Sequence, residues 1–271
     1  MFKPDKSVAQ RVTVRWIASY PKSGNTWLRF LLYQYFNGAA ESSAQISRFI
    51  PDMHHKGSLH GVKPFEGSIF VKTHLPLDQR LPLREHTRDF VHVVRHPRDT
   101  ILSCLNYARL INSPDVAGGV TDEQYVRGFI ARGGSAWYAG LGFGTWEEHC
   151  ASWIDNTEFP GLLVRYEDLK KQTPAELRRI LEFLGHPVDQ SRVDQAVKLS
   201  SFDHMRALEV KEKSSGTTGE VFAGGADKAR KGQFFMNKGQ SGRSLDTIAR
   251  GLDAAVNDRF AAMLRRLGYE R

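Results

Sequence analysis

Cysteine is scarce in this chain, with Cys104 and Cys150 the only 2 in 271 residues. That is too few for a disulfide framework, and their separation does not suit a metal site, so both are expected to be reduced. Long apolar runs are missing as well. No uninterrupted stretch is long enough to span a bilayer, and the N-terminus MFKPDKSVAQRVTVRW lacks the apolar core of a signal peptide. A cytoplasmic protein without a membrane partner is the expectation. A dense basic run is also absent despite a net charge of +8. With no zinc-finger or RNA-recognition pattern, this argues against a nucleic-acid partner. The ATP/GTP loop G-x-x-x-x-G-K-[ST] does not occur. His54, His55 and His60 have no spaced carboxylate or cysteine to complete a ligand set, so no metal is expected; they either touch the acceptor or face solvent, and solvent exposure suits them best.

What is there is an ordinary soluble composition, 41% apolar and 25% charged, in a length that suits one large domain over 1–271. The lysines and arginines sit beside glycines and serines, which favours a small anionic ligand. The chain is organised around residues 17–36, IASYPKSGNTWLRFLLYQYF. Ile17 to Tyr20 read as the end of a buried strand, Pro21 to Asn25 as a sharp turn, and Thr26 onward as a helix. A strand, tight turn and helix of this kind form an anion cradle, because the turn aims N–H groups at one point and the helix adds its positive end. Lys22 adds a full charge, and Gly24 permits close backbone approach. Ser23, Asn25 and Thr26 either donate further hydrogen bonds or cap the helix.

Residues 1–11 read as a solvated arm before a strand from Val12 to Ser19. Further strands are expected at Ser68 to Thr73, Phe90 to Arg95 and Gly161 to Arg165. Helices are expected at Asp99 to Asn106, Asp122 to Ile130, Trp146 to Ile154, Thr173 to Leu184, Gln190 to Leu199 and Leu245 to Leu267. Residues 39–65 and 111–145 read as variable substrate-side segments, and 211–244 as a polar, glycine-rich covering loop. Short strands alternating with longer helices give an α/β class with a mostly parallel sheet. In such sheets ligands gather at the carboxyl ends of strands. Here those ends carry Tyr20-Pro21-Lys22-Ser23-Gly24, Lys72-Thr73-His74, Arg95-His96-Pro97-Arg98-Asp99 and Arg165-Tyr166-Glu167-Asp168. Together they make an electropositive rim with one candidate base, His74.

With these residues in view, the sequence resembles the cytosolic-type sulfotransferase family and its bacterial relatives, which use 3′-phosphoadenosine 5′-phosphosulfate (PAPS). The most specific elements are YPKSGNTW at 20–27 and VVRHPRDTILS at 93–103. VKTHLP at 71–76, TWEEHCASW at 145–153, VRYEDLK at 164–170 and MNKGQSG at 236–242 support them in family order. The resemblance implies a P-loop-like three-layer fold whose central sheet is flanked by helices. It also implies sulfuryl transfer from PAPS to a hydroxyl or amine of a small-molecule acceptor, leaving adenosine 3′,5′-bisphosphate (PAP), with no metal.

By the same resemblance Lys22 and the N–H groups of Ser23, Gly24, Asn25, Thr26 and Trp27 hold the 5′-phosphosulfate, and Trp27 stacks on adenine. Arg95 and Ser103 bind the 3′-phosphate, Tyr166 contacts the nucleotide, and Phe202 takes the other side of the adenine. Lys238 and Gly239 belong to a late motif that folds over the 3′-phosphate. Phe234 and Phe235 either cover the nucleotide or anchor a loop returning to the core. His74 corresponds to the family's catalytic base, with Lys22 and then Lys72 as candidates to stabilise the leaving oxygen.

The chain departs from the family at Asn237, where arginine is usual, and at Ser244, where tryptophan is usual; Arg230, Lys231 and Arg243 are the candidates to compensate. A homodimer suits the family, but its dimerisation motif is not recognisable around 245–256. Two other functions compete. A kinase would need a Walker-type lysine and a magnesium-binding carboxylate. A non-catalytic nucleotide-binding protein of the same fold would not need His74 beside Lys22, Lys72, Arg95 and Ser103. Trp146, His149 and Trp153 share a helix face that either lines the acceptor pocket or packs on the sheet.

Overall fold

Alternation along the strands decides which face of the sheet each helix covers. In β1 (Thr13–Ala18) Ile17 points to one side, and Trp16 and Ala18 to the other. The computed structural model describes residues 12–216, 221–237 and 239–269; the expected arm at 1–11 and Lys238 lie outside them. From β1 the chain enters α1 (Asn25–Asn37) and α2 (Ser43–Phe49), then β2 (Ser68–Thr73) and β3 (Thr87–Val94). Next come α3 (Pro97–Ile111), α4 (Asp122–Arg132), α5 (Ala136–Gly140), α6 (Trp146–Ile154) and β4 (Gly161–Arg165). Helices α7 (Tyr166–Lys171), α8 (Thr173–Phe183), α9 (Gln190–Leu199), α10 (Phe202–Ser214), α11 (Ala226–Arg230) and α12 (Leu252–Arg266) complete the order.

The sheet is four-stranded and parallel throughout, in the order β2-β1-β3-β4. Ile17, Phe70, Val91, Val93 and Val164 pack beneath α1, α8 and α9. Trp16, Ala18, Val71 and Phe90 meet Trp153 of α6 on the opposite face, while α3, α4 and α12 extend that layer around Val94. Both faces are therefore covered, as an all-parallel sheet requires. The expected three-layer architecture holds. Because the chain leaves β1 for β2 on one side and returns to β3 on the other, a crevice opens above the carboxyl ends of β1 and β3.

Several boundaries differ from the expectation for physical reasons. Strand β3 begins at Thr87, not Phe90, and α3 begins at Pro97, not Asp99. Proline at N1 suits a helix start, and the His96 ring accepts the Arg98 N–H at 3.2 Å as its cap. Helix α2 stands in a segment expected to be irregular; its start is a reciprocal Ser42–Gln45 capping box. Helix α10 extends into the expected glycine-rich loop because Glu209 and Lys213 are buried as an ion pair and Glu212 is buried against Ser43, which hides its apolar periodicity. The expected single C-terminal helix is broken by Gly251, at φ 84°, into a short turn at Leu245–Thr247 and α12.

Candidate functional site

The turn from Ser19 to Asn25 follows β1 directly. The Asn25 side chain does not cap the helix; its Nδ2 donates back to Ile17 O at 2.9 Å and to Ser19 Oγ at 3.2 Å. Gly24 is the N-cap at φ 110° and provides no side-chain cap, so the first intrahelical acceptor is its own carbonyl, reached by Leu28 N–H at 3.2 Å. The N–H groups of Asn25, Thr26 and Trp27 precede that bond and have no intrahelical partner. Ser23 is buried and its Oγ has no hydrogen-bond partner. Lys22 adopts φ 68°, a left-handed conformation uncommon outside glycine. A Cβ on Gly24 would come 2.5 Å from the Tyr166 ring. These features together make a close-walled anion cradle.

That cradle opens into a cleft of about 490 Å³. Lys22, Gly24, Asn25, Thr26 and Trp27 line it from β1 and α1. Lys72 and His74 line it from the end of β2, and Arg95 and Ser103 from β3 and α3. Tyr166, Phe202, Phe235, Asn237 and Gly239 reach it from later in the chain. The expected residues therefore converge, apart from Ser23, which lies below the lining, and Lys238, which lies outside the described residues.

At one end, Arg95 packs its guanidinium 4.3 Å from the centre of the Tyr166 ring. It donates to Lys22 O at 3.4 Å and Gln240 O at 2.9 Å, and its buried Nε is unpartnered. Trp27 donates its Nε1–H to Ser200 O at 2.9 Å and meets Tyr166 edge-on at 5.7 Å. Phe202 packs against Gly239, where a Cβ would come within 2.5 Å of its ring. Of the three expected compensating cations, Arg243 lines the cleft, whereas Arg230 pairs with Asp227 at the surface. Ser244 serves a different purpose here: its Oγ donates to Asp253 at 2.6 Å and caps the following turn.

At the other end, His74 Nδ1 lies 2.6 Å from Ser19 O. A carbonyl only accepts, so Nδ1 carries the proton and Nε2 of the neutral ring is a free base. Burial, with help from the charge on Lys72, holds the His74 imidazolium well below its usual pKa. Lys72 and Asp52 form a buried ion pair at 2.6 Å. Burial lowers the Lys72 pKa and Asp52 counters it. Burial raises Asp52, but Lys72, His74 and His54 together overcome this and leave it ionised well below the carboxylate range. Lys22 is pushed down to about 7 by burial, with Arg95 and Lys72 adding to the effect. Its ammonium rests 3.6 Å from the centre of the Phe235 ring and 4.4 Å from that of Tyr107.

Asp52 was not legible as a site residue, and of the two readings open to His54 and His55, acceptor contact or solvent exposure, their place in the cleft lining fits the first. The main chain there extends the sheet beyond β2, with Lys72 N–H donating to Pro51 O at 2.8 Å and Met53 N–H to Lys72 O at 3.1 Å. That pairing carries His54 and His55 to the cleft, correcting the solvent exposure preferred for both. His60 is exposed as expected. Trp137, Tyr138, Leu141 and Phe143 line the same end from the glycine-rich 111–145 segment. His149 does not take part: it is fully buried against His92, 5.4 Å between ring centres, so the Trp146–Trp153 face packs inward. Among the described residues no cluster of three or more potential ligands could hold a metal ion, and no helix is long and apolar enough to cross a membrane.

Comparison with known proteins gives a consistent match. The family model described as "Sulfotransferase domain" matches residues 13–268. Rat sulfotransferase 1A1 is 28% identical over 201 residues, covering 70% of this chain and 66% of the relative. Arabidopsis thaliana cytosolic sulfotransferase 13 is 26% identical over 247 residues, covering 86% and 71%. The chain thus spans just under two thirds of the length of the rat relative. Mouse sulfotransferase SULT7A1, solved with PAP, superposes with a TM-score of 0.66 at 20% identity, covering 97% of this chain and 91% of that one. Retinol dehydratase, solved with androsterone and PAP, gives 0.64 at 21% identity, covering 95% and 82%. At that identity these two structures establish the shared fold.

Proposed function

The chain belongs to the sulfotransferase domain family, and we propose from this that it transfers a sulfuryl group from PAPS to a hydroxyl or amine of a small-molecule acceptor. The observation that carries the reading is His74 with a free Nε2, fixed by its bond to Ser19 O, in the same cleft as Lys22, Lys72 and the α1 N-terminus. The cleft residues fit the donor. The unpartnered first-turn N–H groups and Lys22 suit the 5′-phosphosulfate, and Arg95, with an orphaned Nε, suits the 3′-phosphate together with Ser103. Trp27, Tyr166 and Phe202 offer aromatic surface to the base. Proteins of the same fold solved with PAP, and with androsterone or retinol, are consistent with PAPS as donor and a small-molecule acceptor.

In this reading the donor supplies an electrophilic sulfur on a phosphosulfate anhydride. His74 Nε2 takes the acceptor proton as the acceptor oxygen bonds to sulfur. The sulfur–oxygen bond to the phosphate breaks, and PAP departs with the electron pair. Lys22 and the cradle N–H groups meet the charge growing on that oxygen, favouring the transition state over the ground state. Lys72, tied to Asp52, flanks the transferred group without needing to donate a proton.

Calorimetric titration with PAP, with ATP and ADP as controls, tests the nucleotide half of the proposal. Selective PAP binding, followed by sulfate transfer from PAPS to a screened alcohol, phenol or amine, is the expected result. No binding at millimolar PAP would overturn the reading.

A further inference from the structure

Two buried carboxylates with no part in the proposed chemistry hold opposite ends of one segment beside the cleft. Glu209 of α10 is fully buried. Its oxygens accept the N–H of Phe235 at 2.6 Å and that of Met236 at 2.8 Å. Lys213, one turn along, pairs with the same carboxylate and donates to Ala223 O at 3.1 Å. Arg206 stands 3.8 Å from Glu209 and donates to Met236 O. A buried carboxylate is costly unless its lone pairs are satisfied, so these donors fix a single backbone path.

Asp99 of α3, also buried, does the same at the far end. It accepts from Gly242 N–H at 2.9 and 3.1 Å and from Arg243 N–H at 3.4 Å. Between the anchors, Gly239 O accepts from Lys170 at 2.6 Å and Gln240 O from Arg95 at 2.9 Å. The held residues reach the cleft: the Phe235 ring covers the Lys22 ammonium, and Gly239 meets Phe202.

We propose that Glu209 and Asp99 are paired positioning residues that pin the two ends of one strap, described over 235–237 and 239–243, and thereby set how tightly the nucleotide is held. The inference rests on the proposed function for its ligand. Neither carboxylate acts on the reacting atoms. Each acts through backbone N–H groups, so its loss should appear in nucleotide affinity and not in turnover at saturation.

The experiment compares Glu209→Gln, Asp99→Asn and the double variant with wild type, reading PAP affinity, the KM for PAPS and kcat at saturating PAPS. A Glu209→Gln/Lys213→Met variant removes the unpaired lysine that Glu209→Gln alone would leave buried. Each single loss of charge-assisted bonds is expected to weaken PAP about tenfold, with kcat within about threefold. Freeing one end already frees the strap, so the double variant should stay below about thirtyfold. Effects that multiply to about a hundredfold, or a kcat loss with PAP affinity unchanged, would overturn the inference.

Amide hydrogen exchange gives a readout independent of activity, and its wild-type part is independent of how the variants fold; in Glu209→Gln, unchanged protection in the central strands β1 and β3 separates release of the strap from general unfolding. The N–H groups of Phe235, Met236, Gly242 and Arg243 should be protected in wild type, and Glu209→Gln should speed exchange at both ends. Unprotected amides in wild type, or acceleration confined to 235 and 236, would overturn it. A wild type that binds no PAP overturns the proposed function and this inference with it. A wild type that binds, with variants indistinguishable from it, overturns this inference alone.

Discussion

The imidazoles of His54 and His74 lie face to face, 5.6 Å between centres and 9° from parallel, and the His74 backbone N–H donates to His54 Nε2 at 2.8 Å. The bond requires a neutral His54, and burial together with Lys72 pushes its pKa down to about 4. Phe143 closes over both rings at 4.7 and 5.7 Å. His74→Ala should reduce turnover by about 10²–10⁴-fold while PAP affinity stays close to wild type. Equal losses in binding and turnover would remove the assignment of His74 as base.

The same pair gives a titration prediction. A histidine whose pKa is depressed on folding contributes stability that is fully present above about 6.5 and is lost as pH falls through the folded value. His54 should titrate near 4 in the ligand-free protein, and His74 well below 6.5. Imidazole nitrogen shifts followed by NMR would check this; a midpoint near 6.5 for either ring would contradict the buried arrangement.

Nucleotide binding should take up a proton through Lys22. With its pKa at about 7 in the free protein, Lys22 is charged below that pH and increasingly neutral above it. An anion favours the ammonium form, so affinity for PAP should fall as pH rises from 7 to 9, by at most about tenfold per unit. Calorimetry at pH 8 in buffers of different ionisation enthalpy should show up to one proton absorbed in wild type and less in Lys22→Met. Equal uptake in the two would point to another group.

Arg95→Ala should weaken PAP by about 10–100-fold, the range expected for losing charged hydrogen bonds. Its guanidinium also braces Tyr166 and Gln240, so the loss should exceed that for Ser103→Ala. An unchanged dissociation constant would take Arg95 out of the nucleotide site.

Gly24→Ala meets two obstacles at once, a left-handed φ of 110° and the Tyr166 ring 2.5 Å from the added methyl. The backbone part alone costs about 1–2 kcal/mol. PAP affinity should fall, and Gly24→Ala/Tyr166→Ala should not restore it, because the second change relieves the clash but leaves the left-handed φ and itself removes a ring proposed to meet the nucleotide and packed on Arg95. Full recovery in the double variant would show that the φ requirement is unimportant.

The sequence revealed the parts of the site that are local in the chain. The turn at 20–25, the strand end at Lys72–His74 and the Arg95–Ser103 step each combine a strand terminus with polar residues a few positions away, and each was legible. Asp52 was not, and His54 was left open between acceptor contact and solvent, because the pairing of Pro51 and Met53 with Lys72 is made across distant sequence. Glu209 was hidden for a different reason: a buried carboxylate paired with Lys213 looks like a solvated helix face when only polarity is read. The boundaries at Pro97 and Gly251 differed because capping geometry, not apolar spacing, sets where those helices begin.

The order β2-β1-β3-β4 has a consequence for how this scaffold tolerates change. Strand β1 lies hydrogen-bonded between the strand that ends at His74 and the strand that ends at Arg95. The spacing from His74 to the Lys22 turn and to Arg95 is therefore set by neighbouring rungs of one sheet, about 4.8 Å per step. The Trp137–Phe143 wall comes from a connection outside that sheet. Exchanging that wall would alter the shape of its end of the cleft while leaving the ruler between His74, Lys22 and Arg95 untouched.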